Sequence, residues 1–143
     1  LFLIIGSFNK NENFLNRIKG LNYLLITNKY ELRDFYIISN LVISPGVNEG
    51  FGRTLIESMM ARTCILASNS GAHRELISDN QNGILSKKDS EKDFFDKTFY
   101  ILSEKNNRFI SKITDNAFDE VKKKFRLNDY LLSLDKIYNS LYE

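Results

Sequence analysis

Short apolar runs alternate along this chain with longer stretches in which apolar residues recur at three- and four-residue spacing. That alternation predicts a parallel sheet covered by helices. Residues 1–5, 23–27, 41–44, 64–68 and 83–86 read as strands. They are nearly continuous hydrophobic runs, as expected of strands buried on both faces. Helices are predicted between them at about 12–18, 30–39, 52–61 and 72–78. Beyond Leu85 the pattern turns helical: Phe94, Phe95, Phe99 and Leu102 share one spacing, and Ile110, Ile113, Ala117, Val121 and Phe125 repeat it. The last segment carries an apolar stripe of Tyr130, Leu131, Leu134, Ile137, Tyr138, Leu141 and Tyr142. Such a stripe packs either on its own domain or on a part of the protein outside this chain.

A length of 143 residues fits one ordinary domain, and 43% hydrophobic residues suffice for a real core. One Cys and one His exclude a disulfide framework and any Cys/His zinc site. Twenty basic against eighteen acidic residues leave +2, too balanced to announce a nucleic-acid partner. No run approaches the roughly 18 apolar residues of a membrane-spanning helix. The lone Cys64 and the lack of a signal-peptide pattern point to the cytoplasm. With a first residue of Leu, not Met, the chain is expected to be part of something longer.

Ligands of open parallel sheets bind at the carboxyl ends of the strands. Two unusual loops fall there, 45–52 (PGVNEGFG) and 69–75 (NSGAHRE), each running into a helix. Helix starts offer free N–H groups and the positive end of the dipole, and glycine lets a ligand approach the backbone, so a phosphate is the natural guest. The chain lacks a Gly-x-x-x-x-Gly-Lys-Ser/Thr cradle, and Gly46, Gly50 and Gly52 do not fall in the Gly-x-Gly-x-x-Gly order of dinucleotide sites. It has no Asp-x-Asp pair for a metal-bound diphosphate and no Gly-x-Ser-x-Gly elbow to make His73 a hydrolytic base. What remains is a pair of carboxylates, Glu49 and Glu57, with seven residues between them. Carboxylates accept from the paired hydroxyls of sugar rings, so two of them about one helix start could hold two sugars flanking a diphosphate, a nucleotide-sugar. Spacing alone also allows a plain loop charge at Glu49 and a solvated helix residue at Glu57.

The stretch Glu49-Gly-Phe-Gly-Arg-Thr-Leu-Ile-Glu57-Ser-Met-Met-Ala61 closely resembles the glutamate–seven–glutamate motif of retaining GT-B glycosyltransferases, family four, the group 1 family. The likeness continues through Cys64-Ile-Leu-Ala-Ser, Ser70-Gly-Ala-His-Arg-Glu-Leu-Ile77, Asn82-Gly-Ile-Leu85 and the ending Phe125-Arg-Leu…Ile137-Tyr-Asn-Ser-Leu141. It covers about residues 20–143.

The resemblance implies an α/β fold, the partial carboxyl-terminal half of a GT-B enzyme with a Rossmann-like parallel sheet and flanking helices. A nucleotide-sugar-binding domain would span 1–125, truncated on its amino-terminal side, and a closing helix 126–143. Glu57 would hold the ribose hydroxyls. Glu49 would touch the donor sugar, which makes it the candidate catalytic residue, with the turn Gly50, Phe51 and Gly52 facing the same sugar. Thr54 and Leu55 would face the diphosphate, and Thr27 and Asn28 would line the nucleobase. Glu75 is expected to support the second loop. The implied donor is a nucleoside diphosphate sugar, with no cofactor, no metal and no nucleic acid. The implied acceptor is a glycan or a lipid-linked sugar, bound by an amino-terminal domain outside this chain; the whole enzyme can associate peripherally with a membrane. The implied reaction is hexosyl transfer with retention. A catalytically inactive binding fragment and a GT-B-type sugar-nucleotide epimerase are the alternatives.

Two departures stand out. Arg62 and Cys64 replace the family's usual Gly and Pro, so the turn at Arg62 is expected not to need a positive φ, and Cys64 is expected to fill core space. Residues 1–6 resemble the family's second strand. The first strand, with the Arg and Lys that neutralise the diphosphate, is therefore expected upstream, and the isolated chain is expected to be inactive, marginally stable and self-associating.

Overall fold

The computed structural model describes residues 2–5, 19–20, 22–26, 31–47 and 49–141. They fall into two compact units, Leu1–Asp34 and Phe35–Glu143. In the first unit, β1 (Phe2–Ile5) pairs in parallel with β2 (Tyr23–Ile26), from Phe2 opposite Tyr23 to Ile5 opposite Ile26. The predicted helix at 12–18 and the nucleobase residues Thr27 and Asn28 lie outside the described residues.

The second unit holds a parallel sheet in the order β3 (Val42–Ser44), β4 (Ile65–Ser68), β5 (Ile84–Ser86). Val42 stands opposite Ile65, and Leu66 opposite Ile84. The helices are α1 (Arg33–Ile38), α2 (Arg53–Met60), α3 (His73–Leu76), α4 (Glu91–Leu102), α5 (Asn107–Lys124) and α6 (Leu127–Ser140). The architecture is thus α/β with parallel sheets and flanking helices, as the alternating pattern predicts.

The central strand β4 is buried along its whole length, and its alternating side chains define two core faces. Ile65 and Ala67 meet Leu55 and Met59 of α2, Leu85 of β5, and Ala117 and Val121 of α5. Cys64 and Leu66 meet Ile84, Ile101 of α4 and Ile113 of α5. Cys64 therefore does fill core space, and burial raises its thiol pKa to about 12. Asn82 stitches the layers together: its amide donates to the Leu76 carbonyl (3.1 Å) and to Glu120 of α5 (2.6 Å). Beside it, a Cβ on Gly83 would stand 3.0 Å from Ile65 Cγ2, which explains a glycine at that close crossing.

Arg62 corrects an expectation. It has φ 58°, the left-handed conformation that the glycine it replaces would adopt without cost. An L-residue there is strained by roughly 1–2 kcal/mol. Contacts to α5 offset the strain: the guanidinium lies 4.0 Å from the Phe118 ring centroid and pairs with Asp115.

The apolar stripe of α6 is largely exposed, including Tyr130, Leu131, Ile137, Tyr138 and Leu141. Tyr142 lies outside the described residues, among which no helix is long and apolar enough to cross a membrane.

Candidate functional site

Because β3 and β4 run parallel, the loops that leave them emerge from the same edge of the sheet. The first passes from Ser44 to α2, the second from Ser68 to α3. They are tied directly, with the Ala72 N–H donating to the Glu49 carbonyl at 3.1 Å.

Beneath them lies His73, fully buried. Its Nδ1 is 2.9 Å from the Ser68 carbonyl, which can only accept, so Nδ1 donates a proton there. Its Nε2 pairs with the Ser44 hydroxyl at 3.3 Å. The Ser68 and Ser70 hydroxyls in turn donate to the Gly46 carbonyl. One imidazole thereby joins the ends of both strands and, through the serines, the start of the glutamate loop. Both ring nitrogens are engaged, so His73 is a fastener of the loops. The support expected of Glu75 is supplied by its neighbours Ala72 and His73, because Glu75 points its exposed side of α3 to solvent.

Gly52 ends the first loop in the left-handed region, φ 76° and ψ 47°. A Cβ there would stand 3.2 Å from Leu76 Cδ1, so both conformation and space call for glycine. Around Gly50 a Cβ would meet nothing within 4 Å, which leaves the backbone accessible. The Phe51 ring meets Phe125 edge-to-face with centroids 6.1 Å apart, anchoring the turn to the segment after α5. Leu55 is fully buried, and its N–H bonds the Gly52 carbonyl at 3.0 Å. Arg53 and Thr54 form the first turn of α2 and are exposed, so their N–H groups are the accessible ones at this helix start.

The two glutamates differ in setting. Glu49 is exposed, with Oε2 3.8 Å from where a Gly46 Cβ would lie. Glu57 is half-buried and accepts the Tyr36 hydroxyl at 2.9 Å. Arg53 Nε stands 3.7 Å from its other oxygen. Burial and the Glu57 carboxylate raise the Tyr36 pKa to about 12. Sequence reasoning missed Tyr36, because 21 positions separate it from Glu57 and only the tertiary fold joins them. It also left His73 without a role; a lone histidine after a buried strand was the available signal. No cluster of three or more His, Cys, Asp or Glu able to hold a metal occurs among the described residues.

Comparison with known proteins agrees with this picture. The family model for glycosyl transferases group 1 matches residues 1–119. An uncharacterised glycosyltransferase of Methanocaldococcus jannaschii is 28% identical over 145 residues, covering 98% of this chain and 40% of that protein. Among solved structures, a glycosyltransferase from Rickettsia africae superimposes with a TM-score of 0.86 at 27% identity, over 99% of this chain and 40% of that one. Anabaena HepE in complex with UDP-glucose shares the fold, with a TM-score of 0.82 at 15% identity over 96% of this chain and 40% of its own. The chain thus spans about 40% of the length of these relatives.

Proposed function

The chain belongs to the glycosyl transferases group 1 family, and from that premise we propose that it binds the nucleoside diphosphate sugar donor of a retaining hexosyltransferase. One observation carries the reading: an accessible helix start at Arg53 and Thr54 lies between an exposed Glu49 and a half-buried, hydrogen-bonded Glu57. The complex of Anabaena HepE with UDP-glucose adds support from a protein of the same fold.

In this reading Glu57 accepts the ribose hydroxyls, and the first turn of α2 receives the diphosphate. Glu49 accepts hydroxyls of the donor sugar beside the bare backbone of Gly50, which makes it the candidate catalytic residue. As the bond between sugar and phosphate breaks, negative charge grows on the diphosphate and positive charge on the ring. Fixed N–H dipoles at the start of α2 stabilise the first, and the Glu49 carboxylate favours the second. The departing phosphate itself can take the proton of the acceptor hydroxyl, which calls for no protein nucleophile. In the proposed mechanism the helix start meets the diphosphate charge, and transfer proceeds without an essential divalent ion. A glycan or lipid-linked sugar is the proposed acceptor, held by the remainder of the whole protein.

Transfer and hydrolysis assays with nucleoside diphosphate sugars, run on the full reading frame in excess chelator, test this proposal. Transfer with the donor's anomeric configuration kept is expected. A product that is itself a nucleotide-sugar would mark an epimerase, and loss of activity restored by magnesium would contradict the metal-free mechanism.

A further inference from the structure

We infer that Tyr36 is a positioning residue for the nucleotide, its hydroxyl setting the orientation in which the Glu57 carboxylate meets the two ribose hydroxyls. This rests on the ribose role proposed for Glu57. The last torsion of a glutamate side chain is broad, so an unrestrained carboxylate samples many orientations and must be ordered when a ligand binds. Two groups restrain Glu57. Arg53 stands 3.7 Å away with a side chain 84% exposed, and exposed ion pairs of this kind hold little. The Tyr36 hydroxyl donates at 2.9 Å from a partly buried position, a shorter bond better sheltered from water. Tyr36 therefore dominates.

The backbone of Tyr36 is braced against the end of the helix that carries Glu57. The Tyr36 carbonyl accepts the Thr63 hydroxyl at 2.6 Å. Thr63 is bonded twice to Ser58, its N–H to the Ser58 carbonyl at 3.0 Å and its carbonyl to the Ser58 hydroxyl at 3.0 Å. Ser58 follows Glu57 in α2. The bonds thus close a circuit from Glu57 through Tyr36, Thr63 and Ser58 back to Glu57, which holds the Tyr36 backbone against α2 within reach of the carboxylate. An ionised carboxylate has about four acceptor sites. Tyr36 takes one, which leaves enough on the same group for a pair of neighbouring hydroxyls. With its pKa raised to about 12, the phenol keeps the proton it donates throughout the neutral range.

The test is discrimination between ribose and deoxyribose. Calorimetry would compare UDP with 2′-deoxy-UDP, and GDP with 2′-deoxy-GDP, on the wild-type chain, Tyr36→Phe, Glu57→Ala and the double variant. The wild type should prefer the better-bound ribonucleotide by about tenfold, the worth of one charge-assisted bond. Tyr36→Phe should lose most of that preference while still unfolding in one cooperative transition, and should add nothing in the Glu57→Ala background. A preference retained by Tyr36→Phe but lost in Glu57→Ala would overturn this inference alone. A preference retained by Glu57→Ala would overturn the ribose reading and the inference with it. A ligand-free measurement checks the pairing: in a sample labelled at the tyrosine Cζ, the Tyr36 resonance should titrate at lower pH in Glu57→Gln than in the wild type. Identical titration in both would also overturn the inference.

Discussion

Ala72 donates its backbone N–H to the Glu49 carbonyl across 3.1 Å, so the loops that follow two neighbouring parallel strands behave as one piece. His73, the next residue, continues the fastening below the surface through Ser68 and Ser44. The candidate donor-sugar carboxylate is thus carried on a loop whose position is set by buried polar groups.

Replacing His73 with Ala strands the Ser44 hydroxyl, leaves the Ser68 carbonyl with the Ser70 N–H as its one donor and opens a cavity, which should destabilise the chain by about 2–4 kcal/mol. His73→Asn can still donate to the Ser68 carbonyl and should cost less. Urea unfolding of both variants checks the order. Equal stability of His73→Ala and the wild type would contradict the role of the imidazole as a fastener.

Arg62 poses a balance of strain against contact. Arg62→Ala keeps the positive φ while losing the Phe118 and Asp115 contacts, and should cost about 1–2 kcal/mol. Arg62→Gly loses the same contacts but relieves strain of about 1–2 kcal/mol, so it should fall near the wild type. Thermal unfolding of the pair decides the matter. If the glycine variant is as unstable as the alanine one, the strain is not operating.

How far these features could be read from the sequence depends on whether the physics behind them is local. The strand at Ile65–Ser68 is legible because a core strand must be apolar on both faces. The start of α2 is legible because Gly52 needs a conformation that few other residues adopt. Glu49 and Glu57 are legible because one turn and one helix hold them at a fixed spacing. Tyr36 is not, since its bond to Glu57 exists only once α1 lies near α2. The backbone of Arg62 is misread for a similar reason: the contacts that hold it in the left-handed region come from α5, more than fifty positions away. For α6 the stripe is legible and its covering is not, because a stripe records only that something apolar belongs there.

Asp93 brings in pH. It accepts from the Lys87 N–H at 2.8 Å, the largest influence holding its pKa below the ordinary carboxylate value; the Ser86 hydroxyl and Lys97 act the same way, against an opposing effect of burial. A carboxyl with a depressed folded pKa contributes stability above its unfolded value of about 3.9, and that contribution fades as pH falls through the folded value. Asp93→Asn should therefore be less stable than the wild type at pH 7. The gap should narrow in acid below about pH 4. Urea midpoints across pH 2–7 check this, and a gap that does not change with pH would refute it.

The central claim is that the Glu49–Glu57 segment receives a nucleoside diphosphate, and calorimetry of UDP and GDP binding to the wild type, Glu57→Gln and Glu57→Ala tests it most directly. Removing charge-assisted bonds to two hydroxyls should weaken binding of the preferred nucleotide by about 1.5–3 kcal/mol in Glu57→Ala. Glu57→Gln should lose less, since its amide still accepts from one hydroxyl. Affinity unchanged in both variants would contradict the account.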